Sequence, residues 1–114
     1  MEYMAEKSCL GEFELMVILS VISLADGAYG VPIARQIEKH REHEVSLSSV
    51  YAALDRLEGK GLVRSELGDA TPERGGRAKR YYQVTASGLR VIQQTRQTLT
   101  ALWRDVPELG GVRL

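Results

Sequence analysis

Apolar residues recur along this chain in distinct patterns, and the changes of pattern divide it into elements. From Leu10 to Leu24 it reads Leu-Gly-Glu-Phe-Glu-Leu-Met-Val-Ile-Leu-Ser-Val-Ile-Ser-Leu, apolar on nearly every side beyond Glu14. Leu15, Met16, Val17, Ile18, Leu19, Val21 and Ile22 cannot share one helical face, so a helix here needs cover on more than one side. One small domain does not supply that much cover, which points to a second subunit. Asp26-Gly27-Ala28-Tyr29-Gly30 then breaks the pattern as a turn. Pro32 suits the first turn of a second helix, where its missing N–H leaves no bond unmade. Ile33, Ala34 and Ile37 make the inward stripe of that helix, and Arg35, Glu38, Lys39 and Arg41 face water.

A third helix has a defined start. Ser46 is placed to cap it, with Val45 and Val50 in the two positions of a hydrophobic staple. Val50, Leu54 and Leu57 fall at i, i+4 and i+7 and predict the buried stripe. The opposite surface is Ser48, Ala52, Asp55 and Gly59, flanked by Ser49, Tyr51 and Arg56. Gly61 stops the helix. Leu62 to Leu67 and Arg80 to Val84 read as two strands joined by a segment too long for a tight turn. Thr85 caps a last helix, along which Leu89, Ile92, Leu99, Leu102, Trp103 and Val106 form an apolar stripe interrupted at Thr95 and Arg96. Pro107 and the glycines beyond it end that helix.

The fold class that follows is mainly α with a small β-hairpin wing, a winged helix-turn-helix with a C-terminal dimerisation helix. We divide the chain into a flexible N-terminus over 1–9, the winged helix-turn-helix over 10–84, the dimerisation helix over 85–106 and a tail over 107–114.

Composition narrows the function classes. The chain has 114 residues, 44% hydrophobic and 26% charged, as an ordinary globular domain does. Its most apolar segment, Leu10 to Leu24, is about fifteen residues long, short of the roughly 20 that span a bilayer, and no signal-peptide order opens the chain. A cytoplasmic protein without membrane contact is expected. Cys9 is the only cysteine, which rules out a disulfide within the chain. His40 and His43 have a metal-ligand spacing but no cysteine near them, so no metal and no cofactor is expected. No nucleophile–base constellation and no phosphate-cradling loop is present, so the chain is not read as an enzyme.

Charge adds more than its total suggests. The net is zero, yet residues 1–73 carry 13 acidic and 7 basic side chains whereas residues 74–114 carry 2 and 8. Screening over roughly 10 Å lets the basic part keep a positive surface of its own. Within it, Arg74, Arg77, Lys79 and Arg80 cluster on the hairpin with Gly75 and Gly76. A charged loop by default is only solvated surface. Following a capped helix whose exposed N-terminal end is small and hydroxylated, this one predicts double-stranded DNA as the partner. The helix over 46–60 would enter the major groove, and the wing over 68–80 would take the flanking backbone or minor groove. Tyr51 either reaches the DNA or packs on the second helix. Trp103 and Leu99 line either an intersubunit core or a pocket for a small aromatic effector. A winged-helix protein-interaction module without DNA binding is the competing reading; clustered basic residues at the tip argue against it.

Several of these residues together resemble a known family. They are Tyr29-Gly30, Ser46-Leu-Ser-Ser-Val-Tyr51-Ala-Ala-Leu54-Asp-Arg-Leu57-Glu-Gly-Lys-Gly61-Leu-Val63, and Arg77-Ala-Lys79-Arg80-Tyr81-Tyr82 before Thr85-x-x-Gly88. From about Leu10 to Trp103 the chain resembles the phenolic-acid-decarboxylase regulators, the PadR-like family, in the short form with one C-terminal helix. The resemblance implies a homodimeric winged-helix transcription regulator, most often a repressor, whose last helix exchanges contacts with the partner subunit. It carries recognition-helix roles onto Ser48, Ser49, Tyr51 and Arg56, and wing roles onto Arg74, Arg77, Lys79 and Arg80. Ala52 and Asp55 depart from a base-reading surface, which shifts weight to DNA shape and the wing.

Overall fold

Two hydroxyl side chains start two of the helices by the same means. Ser46 Oγ accepts the Ser49 N–H at 3.1 Å, and Thr85 Oγ1 accepts the Gly88 N–H at 3.0 Å. Each supplies one of the acceptors that a helix N-terminus lacks within itself. The computed structural model describes residues 10–68 and 78–107. Along them run α1 (Glu12–Leu24), a 3-10 turn (Ala25–Gly27), α2 (Gly30–Arg41), α3 (Leu47–Gly59), β1 (Val63–Leu67), β2 (Arg80–Val84) and α4 (Ala86–Arg104). The predicted winged-helix order is therefore present, mostly helical with one antiparallel hairpin.

The core lies between α1, α2 and α3 and is closed by the hairpin. Val17, Ile18 and Val21 of α1 meet Ile33 and Ile37 of α2 and Val50, Leu54 and Leu57 of α3, all fully or almost fully buried. Burying a side chain of this size contributes about 1.5–3 kcal/mol. Ala53, outside the predicted stripe, is buried as well. Glu38, expected to face water, instead accepts the Val45 N–H at 2.9 Å and steadies the turn into α3.

The hairpin pairs Val63 with Val84, Arg64 with Gln83, Ser65 with Tyr82, Glu66 with Tyr81 and Leu67 with Arg80. Strand alternation sends Tyr82 into the core, where 3% of it is exposed, and leaves Gln83 outside; Arg80, at the start of the strand, is exposed too. The Tyr82 N–H donates to the Ala28 carbonyl at 2.8 Å, which ties β2 to the turn before α2. Gly68 N–H donates to the Lys79 carbonyl at 2.7 Å beyond the last paired residues. The N-terminus over 1–9 and Arg74 and Arg77 of the wing lie outside the described residues.

The last helix is the exception to this packing. Across its 19 residues only Gly88 is buried. That glycine sits so close to the strands that a Cβ would strike the Leu62 carbonyl oxygen and the Val84 side chain. Val91 and Ile92, partly buried, still pack on the core, and beyond them α4 leaves the domain. Leu99, Leu102 and Trp103 are 42%, 58% and 54% exposed, and the helix ends at Arg104, just before the predicted limit. On α1, Leu19 is 46% exposed. Beside it a groove of about 530 Å³ opens between α1 and α2, floored by Met16, Leu19 and Ile37 and rimmed by Gln36, His40 and Arg41.

Candidate nucleic-acid interface

The amphipathic pattern of α3 decides which side it shows to solvent. With Val50, Ala53, Leu54 and Leu57 turned into the core, Ser48, Ser49, Tyr51, Ala52 and Asp55 are left exposed. Ser46, Ser48 and Ser49 form a hydroxyl cluster at the N-terminal end. Ser46 Oγ lies 3.3 Å from Ser48 Oγ and donates to Ser49 Oγ at 2.8 Å. Short side chains let a phosphate or a groove wall come close, and the unpaired N–H groups of a helix N-terminus favour an anion there.

Tyr51 rests against α2 and remains 40% exposed. Its ring and hydroxyl cross the first residue of α2 so closely that any Cβ at Gly30 would collide with them. Gly30 thus sets the distance between α2 and α3 at the exposed end.

The wing's base is held from both sides. The Lys79 ammonium sits 4.0 Å from the centroid of the Tyr29 ring, and the Tyr81 ring meets Tyr29 edge-on with centroids 5.4 Å apart. Arg80 Nη1 donates to Ser65 Oγ at 3.0 Å, and Ser65 Oγ donates to Glu58 Oε2 at 2.9 Å, joining the hairpin to α3. Arg64 grips its cross-strand partner Gln83 through Nε and Nη2, at 3.1 and 2.9 Å. Lys79 and Arg80, both expected at the DNA, therefore also hold the wing to the domain.

Arg56 is also tied to α1. Its Nε donates to Glu14 Oε2 at 2.9 Å, and Lys60 Nζ donates to Glu14 Oε1 at 3.0 Å. The Arg56 guanidinium is thus engaged with α1 through Nε, while 55% of the side chain stays exposed. Glu14 has 8% of its side chain exposed and also accepts the Gly11 N–H at 3.1 Å, the half of a capping box that needs no cap hydroxyl. Burial pushes its carboxyl up, but the Gly11 N–H, Lys60 and Arg56 outweigh this and hold it below the ordinary carboxylate value. A sequence signal for this site exists. Glu14 falls three, four and seven residues before Val17, Ile18 and Val21, on the buried face, where a carboxylate requires a cation.

Among the described residues no group of three or more His, Cys, Asp or Glu is placed to hold a metal, and no helix is long and apolar enough to cross a membrane.

Comparison with known proteins agrees with this geometry. Residues 18–94 match the model of the transcriptional regulator PadR-like family. The chain belongs to the PadR-like family. Within it, the chain is 34% identical over 83 residues to the transcriptional regulator Rv3488 of Mycobacterium tuberculosis, covering 73% of this chain and 71% of that one. The fold is similar to that of a PadR family transcription regulator from Clostridium difficile R20291, with a TM-score of 0.69, 23% identity, and 82% and 93% of the two chains covered. It is also similar to the PadR-like regulator BC4206 from Bacillus cereus, with a TM-score of 0.64, 24% identity, and 79% and 82% covered. As a PadR-like protein the chain is a transcription regulator, as these relatives are.

Proposed function

We propose that this PadR-like protein is a homodimeric repressor that binds a pseudo-palindromic DNA operator. The observation that carries the reading is the exposed, hydroxyl-rich N-terminal half of α3, set opposite a fully buried stripe and beside a braced basic hairpin. In this reading the Ser48–Tyr51 end of α3 enters the major groove. Arg74 and Arg77 reach the flanking backbone or minor groove, and Lys79 and Arg80 add charge at the wing's base while fixing its angle. Arg56 has no direct contact in this account.

Dimerisation rests on exposed apolar surface. A helix that buries one glycine in 19 residues, with Leu99, Leu102 and Trp103 half-exposed, is not stable in water without cover. The groove beside Leu19 offers the complementary apolar surface. A second copy satisfies both, and twofold symmetry then places two α3 helices for half-sites about one helical turn apart. Trp103 and Leu99 belong to that intersubunit core, the surface that a flat aromatic effector would also share.

The test is selection of random-sequence duplexes on the purified chain. Recovery of one inverted repeat with that spacing is the expected result. An unstructured pool, or a single half-site bound by one chain, contradicts the reading.

A further inference from the structure

We propose that Glu14 is a positioning residue for DNA recognition: it clamps the C-terminal turn of α3 to the N-terminus of α1 and so sets how the Ser48–Tyr51 end of α3 is presented. The inference deepens the DNA-binding reading and rests on it.

The geometry is directional on both sides. One carboxylate oxygen takes the Gly11 N–H and Lys60 Nζ, and the other takes Arg56 Nε. Arg56 lies in the last turn of α3 and Lys60 is its C-cap. Three hydrogen bonds to one buried group fix an angle between two helices. Apolar contacts alone would permit them to slide.

Stability is a poor explanation for this arrangement. The Arg56 and Lys60 side chains are 55% and 28% exposed, so their attraction to Glu14 is screened. Taking the carboxylate out of water opposes folding, and an apolar residue on the buried face of α1 would not carry that penalty. What the carboxylate adds is orientation. Ser48 stands eight residues from Arg56, about 12 Å along the helix axis, so a tilt of about 5° at the clamp moves it by about 1 Å. A shift of that size is enough to spoil a positioned contact. The tie from Ser65 to Glu58, in the C-terminal half of α3, is exposed.

The experiment uses the duplex recovered by selection on the wild-type chain and an unrelated duplex of equal length. Glu14→Gln, Arg56→Gln and the double variant are compared with wild type well below each unfolding midpoint, at several salt concentrations. Glu14→Gln and Arg56→Gln should each weaken the selected duplex roughly three- to thirtyfold. The double variant should be no weaker than either, and binding to the unrelated duplex and the salt slope should stay as in wild type. Should Glu14→Gln fail to fold, Arg56→Gln breaks the same tie from its exposed side and carries the comparison. An Arg56→Gln effect that adds to Glu14→Gln and lowers the salt slope would make Arg56 a phosphate contact and overturn the proposal. Wild-type selectivity in Glu14→Gln would overturn it too. A wild-type chain that recovers no duplex overturns the DNA-binding reading, and this inference with it.

Discussion

Lys79 at the base of the wing lies 4.0 Å above the ring of Tyr29, the residue that precedes α2. Tyr81 closes on the same ring from β2. The hairpin is therefore joined to the turn before α2 as well as to α3, and a residue that would be called a phosphate contact from its charge has a second role. Replacing Lys79 with Met keeps its length and removes its charge. Stability in urea should fall by about 0.5–1 kcal/mol, the size of a partly exposed cation–π contact. The salt slope of DNA binding should also fall by up to about one unit, because Lys79 adds charge at the wing's base; an unchanged slope would leave Lys79 with the bracing role alone.

Gly30 and Tyr51 predict a steric result. Alanine at position 30 cannot be accommodated unless the Tyr51 ring moves, because the added Cβ would overlap it. Gly30→Ala should lower stability by about 1–3 kcal/mol, as overpacking does. The paired change Gly30→Ala with Tyr51→Ala should recover part of that loss. Thermal unfolding of the two variants and the wild type decides it; equal midpoints for Gly30→Ala and wild type would show that the two helices are not in contact there.

The Glu14 carboxyl carries a pH dependence with a definite sign. Its folded-state pKa is depressed below the ordinary 4.5, so the unfolded chain takes up the proton first as the pH falls. The stability contributed by its ionisation is complete above 4.5 and is lost as the pH drops through the lower folded value. The stability difference between wild type and Glu14→Gln should be constant near neutrality and shrink below that point. Chemical denaturation at a series of pH values measures it, and a difference that grows toward acid would contradict the assignment.

The contrast between Ser46 and Glu14 explains how much of this was legible in the chain itself. Ser46, Thr85 and the Val50–Leu57 stripe act within three to seven residues of sequence, so capping and periodicity reveal them, and the hairpin follows from its two runs. The Glu14 clamp joins positions 42 and 46 residues apart. Periodicity announces the buried carboxylate but not which cation answers it. The second role of Arg56 is hidden for the same reason. On a helical wheel it borders the exposed face, and only the packing of α1 against α3 turns its guanidinium toward Glu14. The Lys79–Tyr29 contact likewise depends on bringing β2 beside a turn 50 residues earlier.

Exposed α4 predicts the association state. Replacing Leu99 and Leu102 together with Glu places charge on the half-exposed apolar stripe without touching the three-helix core. The double variant should sediment as a folded monomer where the wild type is a dimer, and the emission of Trp103, the only tryptophan, should shift to longer wavelength. Loss of a desolvated dimer core also removes bivalent DNA binding. A wild-type chain that is monomeric at micromolar concentration would rule out the dimer.

The most direct test of the whole account is fluorescence anisotropy on the DNA immediately upstream of the protein's own gene, against unrelated DNA of equal length, at two salt concentrations. Tight binding to the upstream duplex alone, falling steeply with salt, is the result this account predicts. No binding to either duplex at low salt would contradict it and leave α3 and the wing as a surface for a protein partner.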